Sequence, residues 1–152
     1  MQNAVTRGPW THAQFDDMSW HDNHVHAVRI VEGEYGAGTL ELDLDYILDW
    51  VRGPEGVQFL VVPVSLCFTE VTRLRMVLDY STPSAALGPF SIHAIERHTE
   101  ARERYVAQLW KILVNWPAGD IAFEASGYEQ RCAGDAVLTP RQHLLPSERN
   151  RA

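Results

Sequence analysis

From Thr39 to Val51 the chain alternates with a period of two. Leu40, Leu42, Leu44, Tyr46, Leu48 and Trp50 share one parity, and Thr39, Glu41, Asp43, Asp45 and Asp49 share the other, broken only by Ile47 and Val51. Successive side chains of an extended strand point to opposite faces, so this segment lays an apolar stripe on one side of a sheet and a row of carboxylates on the other. Wound into a helix, the same residues would scatter leucines and acids around the axis. A strand is the only regular element that keeps them apart.

The same period recurs along the chain. Val57 to Phe68 follows the turn Gly53-Pro54-Glu55-Gly56, so a hairpin joins it to the first alternating segment. Its even positions are apolar, and Val57, Phe59 and Val61 make part of the odd face apolar too, as in a strand covered on both sides. Pro63 has no N–H to give a ladder and points to an edge or a bulge. Arg73 to Tyr80 alternates again, and a turn-rich stretch, 81–89, separates it from Phe90 to Arg97. His98 to Arg104 reads as a solvated loop or one helical turn. Tyr105 to Trp116 and Ile121 to Gln130 form a hairpin about Trp116-Pro117-Ala118-Gly119-Asp120. With the segment after His26, the count is about seven strands.

These elements predict an all-β fold: an antiparallel meander forming an open barrel or a two-layer sandwich, with at most short helices, one of them over 10–18. Residues 1–133 read as a single β domain with 1–12 as a lead-in. Residues 134–152 lose both the alternation and the aromatics and read as a loosely attached tail, docked through Leu144 and Leu145.

Composition excludes several classes of function. A chain of 152 residues, 45% apolar and 22% charged, has the size and make-up of one soluble domain. Its longest apolar run, Phe59 to Phe68, is strand-sized and far short of a membrane span, and the N-terminus has no signal-like apolar core, so a cytoplasmic protein is expected. A net charge of −7 repels nucleic-acid phosphates, and no basic run suits an anionic membrane. Cys67 and Cys132 lie outside any CxxC motif. Gly-x-Ser-x-Gly, Walker A and Gly-x-Gly-x-x-Gly are all missing, and no cofactor is expected.

Chemistry-bearing residues gather in two places. Trp20-His21-Asp22-Asn23-His24-Val25-His26 holds three of the seven histidines in seven residues. On a strand His24 and His26 share a face about 7 Å apart, close enough for one metal ion. His93, Asp22 and Glu124 are possible third ligands, and no spacing selects among them. The second place is the acidic row Glu41, Asp43, Asp45 and Asp49. It reads as a solvated face opposed by Arg29, Arg73 and Arg75, as a carboxylate site, or as a surface that docks a basic protein. Tyr46, Trp50, Tyr80, Trp110 and Trp116 share the large-residue parity of their strands, and either fill a core or line a ligand cavity.

Phe15 with Trp20-His21-Asp22, an apolar strand and then Leu-x-Leu-Asp-Leu-Asp resembles a loose group of small bacterial β-rich proteins that open with a Phe/Trp-His-Asp motif. Trp116 to Ile121 and Phe123 to Gly127 are similar to the closing strands of that group, so the resemblance covers about residues 15–131. Some members resemble toxin-immunity proteins. The resemblance implies a non-enzymatic intracellular binder with His21 and Asp22 as a structural motif, and the acidic charge adds a basic protein partner, such as a toxin, as the expectation. The alternatives are a metal-binding protein or metal-dependent enzyme using His24 and His26, and a small-ligand carrier with an aromatic-lined barrel.

Overall fold

The computed structural model describes residues 8–82 and 86–149. Strands β1 (Trp10–Thr11), β2 (His24–Glu32), β3 (Gly38–Gly53), β4 (Gly56–Asp79), β5 (Phe90–Ala101), β6 (Val106–Trp116), β7 (Ala118–Glu124), β8 (Gly127–Cys132) and β9 (Val137–Thr139) join in one antiparallel sheet. A 3-10 helix over His12–Asp17 and an α-helical turn over Pro146–Arg149 complete the described elements. The expected all-β, antiparallel architecture is present, as a curled sheet rather than a regular barrel.

The sheet curls because β4 serves both of its halves. The strands expected over 57–68 and 73–80 are one strand of 24 residues. Its first part pairs with β3 as far as Gly38↔Val71, and from Thr72 onward it pairs with β7. Glu70 and Arg73 adopt left-handed backbone, φ 54° and 53°, and a register shift falls between Thr72 and Arg75. The separation expected there is therefore a bend within a strand. Pairing then runs from Pro63 through Asp45, His24, Ser91 and Trp116, and returns to β4 at Ala118↔Asp79. The seam between β2 and β5 is short, with two residue pairs, His24↔Ser91 and Val25↔Phe90. It is prolonged by Asp22 N–H to Ile92 O (2.8 Å) and Ile92 N–H to Asn23 O (2.9 Å).

Pro63 is central rather than on an edge. A strand residue's N–H and C=O point the same way, and the Pro63 carbonyl accepts from Ala133 N–H at 2.7 Å, in the break between β8 and β9. The missing donor faces that break, so no ladder bond is lost. Gly119 closes the β6–β7 hairpin at φ 155°, where a Cβ would stand 1.9 Å from Val77 O. Only glycine permits that approach.

Inside the curl, Leu40, Leu42 and Leu44 of β3 and Val62, Val64, Leu66 and Phe68 of β4 meet Ile92, Trp110, Ile112, Ile121 and Phe123. Residues 10–20 add the aromatics that fill it. Trp20 packs edge-on against Tyr128 and Tyr46, and Phe15 against Trp110, at centroid distances of 5.6–6.3 Å. Trp20 Nε1–H donates to the buried Gln130 Oε1 at 2.8 Å. Of the aromatics expected together, Tyr46 and Trp110 are core, whereas Trp50 and Trp116 are more than half exposed. The interior is ring packed on ring.

A smaller cluster lies on the outer face of β3 and β4, where Leu144 covers Phe59 and Val61, with Ile47 and Val137 alongside. The double apolar face of this strand thus has a physical cause. The segment from 134, expected to be a loose tail, forms β9 against β4 and buries Leu144, while Leu145 stays 43% exposed. Part of the expected 1–12 lead-in lies outside the described residues, and Trp10–Thr11 pairs with β8.

Candidate functional site

The histidine cluster opens β2, at the seam, and the chain beyond β9 closes over it. Three β-bulges shape the region. His26 is the extra residue between Val25↔Leu44 and Ala27↔Asp43, and His93 the extra residue between Ile92↔Val114 and Ala94↔Leu113. Asn115 is left over between Ser91↔Trp116 and Ile92↔Val114. A bulge re-aims the side chain it inserts, and here each inserted side chain is polar.

Asp45 is the centre of the outer face. It is 0% exposed, and its carboxylate is fully engaged. Oδ2 accepts from His26 Nε2 (2.7 Å) and from Leu144 N–H (2.9 Å), while Oδ1 receives the Arg149 guanidinium. Burial and the nearby Arg149 push His26 down to about 4, so at neutral pH its ring is uncharged and Nε2–H is the donor. His24 lies against His143 at 4.7 Å between centroids, with its Nδ1 3.1 Å from Asp22 O. Burial lowers both of these histidines as well, helped at His24 by His143 and at His143 by Arg141.

Asp22, in left-handed backbone at φ 64°, is the second hub. Its carboxylate lies 3.1 Å from His21 Nδ1 and accepts side-chain amide donors from Asn115 (3.2 Å) and Gln142 (3.1 Å). Both of these donors are side-chain amides rather than backbone N–H groups. Together with its own N–H on Ile92, Asp22 ties the start of β2 to β5, β6 and the C-terminal segment.

The acidic row is not one exposed face. Arg29 holds Asp43 with two bonds of 2.8 Å and Glu41 with one of 3.1 Å. Arg73 and Arg75, expected to oppose the same row, face Glu124 and Asp120. Leu48 is a further bulge, between Ile47↔Val61 and Asp49↔Leu60. It exchanges the two faces, so Trp50, stacked edge-on over Phe59 at 4.8 Å, follows the side of Asp45 and Asp49 does not. Asp49 is exposed and accepts from Trp50 N–H.

His24 and His26 do share the outer face, but their ring nitrogens address Asp22 O and Asp45. Among the described residues no group of three or more His, Cys, Asp or Glu is arranged to hold a metal ion. His93 stands beside His21, at 5.4 Å between centroids, and Glu124 receives Arg102. Asn115, Gln142, His143 and Arg149 complete the site and were not legible in the sequence. The only cue to the last three is the buried-type Leu144 among them. No family model matches this chain, and no curated protein is significantly similar to it.

Two surface clefts of about 430 Å³ lie near these elements. One, between the β2–β3 hairpin and the bend of β4, includes Ile30, Val31, Leu40, Val71 and Leu74 in its lining. The other is lined by Phe15, Trp20, His21 and His93, among others.

Asp45, by binding His26, Leu144 and Arg149, forms a latch that holds the C-terminal segment on β3, and this latch makes stability pH-dependent. His26 faces Asp45 and Asp43 of β3, Arg149 and His143 of the C-terminal segment, and His24 on its own strand. Its pKa is about 6.5 unfolded and about 4 folded, so the unfolded chain binds the proton first as pH falls. The stability this residue contributes is complete above pH 6.5 and is lost between 6.5 and about 4, with His24 and His143 adding in the same direction. The urea midpoint is expected to drop steadily from pH 7 to pH 5, with a shallower drop for His26→Gln. Equal slopes for the two proteins would refute this assignment.

Proposed function

We propose that this chain is a non-catalytic protein-binding module that takes an extended segment of a basic partner along the free edge of β2. One observation carries the reading. Beyond Val25, β2 is paired only with β3 among the described residues, so the edge over 26–32 has no neighbouring strand. Ile30 on this edge is 70% exposed and Val31 42%, and both line the 430 Å³ cleft. On the far side of the cleft, β4 from Thr72 is, among the described residues, paired on one side only, with β7. Two unpaired edges thus flank one apolar groove. That is the setting for strand addition, in which backbone bonds supply affinity and pockets for alternate side chains supply specificity.

Charge favours a cationic partner. The net charge is −7, Glu32 and Glu34 stand at the hairpin, and Arg29 answers two carboxylates, Glu41 and Asp43, with one guanidinium. Asp45 belongs to the latch and takes no part in docking. The resemblance to immunity proteins fits a toxin as partner, with the complex forming in the cytoplasm.

Ile30→Lys tests the edge. The residue is exposed, so the change is expected to alter stability by no more than about 0.5 kcal/mol. A basic host protein captured by the parent protein, and reconstituted with it from purified components, is expected to bind Ile30→Lys at least tenfold more weakly. Equal affinity for the two would rule out this edge.

A further inference from the structure

The geometry points to a second, unrelated site: a two-histidine site for a borderline divalent ion such as Zn2+, formed by His21 and His93 at the mouth of the second cleft. Two unusual backbone features present these side chains. His93 is the bulged residue of β5, and His21 immediately precedes Asp22 with its φ of 64°. Left-handed backbone at a non-glycine residue and an inserted strand residue both carry a conformational cost, and both gather where side chains must be aimed. Here they aim two imidazoles at each other.

The ring centroids are 5.4 Å apart with planes at 64°. An ion held by two imidazole nitrogens at about 2.0–2.1 Å, with tetrahedral angles, keeps those centroids roughly 5 Å apart. The observed separation of the two rings therefore matches the one a shared ion requires. His21 is also prepared as a ligand, because its Nδ1 lies 3.1 Å from Asp22 Oδ2. A carboxylate beside the imidazole adds negative charge next to the pair, which favours a bound cation. Asp22 is itself held by Asn115 and Gln142, so the position of this carboxylate is built into the seam.

The chain supplies two ligands and water supplies the rest. Asp16 lines the same cleft and is almost fully exposed. Imidazole donors select Zn2+, Cu2+ or Ni2+ over the hard, oxygen-seeking Mg2+ and Ca2+. The other histidine pair, His24 and His143, is closer at 4.7 Å, but His24 Nδ1 is occupied by Asp22 O and neither ring lines this cleft.

The test is calorimetric titration of the full chain, purified without a histidine tag, with Zn2+ and with Mg2+. One Zn2+ per chain is expected, with no Mg2+ binding. His21→Gln and His93→Gln should each weaken Zn2+ by about tenfold or more, and His143→Gln should leave it unchanged. Both target histidines are exposed, so folding survives the changes, and an unchanged urea midpoint checks this. Failure to bind Zn2+, binding that survives both substitutions, or binding lost in His143→Gln would each overturn the site.

Discussion

Asp45→Ala is expected to lower the stability of the fold by about 3–5 kcal/mol, the cost of breaking a buried ion pair from one side. The carboxylate is 0% exposed and holds together three things from different parts of the chain: the His26 ring, the Arg149 guanidinium and the Leu144 N–H. Removing it leaves a guanidinium and a backbone donor without their acceptor, a cost that lifting of the C-terminal segment relieves. The loss is therefore expected to have a local component. Amides of 137–145 should exchange faster in Asp45→Ala even in conditions where the remaining sheet stays protected. Asp45→Asn keeps an acceptor for Leu144 N–H and loses the charge that Arg149 needs, so it should fall between the two. Urea titration gives the total, and amide exchange locates it. A variant as stable as the parent, with 137–145 equally protected, would mean that the latch is ornamental.

Trp110→Ala should cost a comparable amount, about 3–5 kcal/mol, for a different reason. Trp110 is 2% exposed and touches Phe15, Phe68 and Tyr128 with centroids 5.2–5.6 Å apart, while its Nε1–H donates to Ala125 O at 3.1 Å. It joins the strands to the aromatic residues of 10–20 that fill the curl. Truncation leaves a cavity that surrounding rings cannot close and strips a buried carbonyl of its donor. Trp110→Phe retains most of the volume and loses the hydrogen bond, and about a third of the effect is expected. Calorimetric melting of the three proteins checks the order. Loss of less than 1 kcal/mol in Trp110→Ala would place the core elsewhere.

The period of two in the sequence carried the fold class, because alternation is the direct consequence of extended backbone and survives any later arrangement of strands. Leu40, Leu42 and Leu44 are core for that reason alone. What alternation cannot report is a residue that interrupts it. His26, Leu48, His93 and Asn115 are all bulges, and a bulge changes which face every following side chain occupies. Trp50 and Asp49 exchanged faces through Leu48. His93, one of three possible third ligands for His24 and His26, met His21 instead. The bend of β4 was equally hidden, since Glu70 and Arg73 carry no glycine or proline to mark left-handed backbone.

The candidate site was legible from its N-terminal half only. Three histidines and a carboxylate in one short stretch are conspicuous in any sequence. Gln142, His143 and Arg149 are ordinary surface residues by composition, and their place depends on where β9 leaves the chain. Leu144 was readable as a docking residue, but nothing in the sequence shows that its burial brings Gln142, His143 and Arg149 onto β2 and β3. Nor could a free strand edge be inferred, because it depends on β2 pairing with β5 over two residues rather than along its length.

The central claim, that the free edge of β2 is a docking edge, is tested most directly by amide exchange of the purified chain alone and in complex with its reconstituted basic partner. Strand addition predicts that amides within 27–31 which exchange freely in the isolated protein become protected in the complex, and that Ile30→Lys abolishes this protection. Unchanged exchange over 27–31 in a saturated complex would contradict the claim.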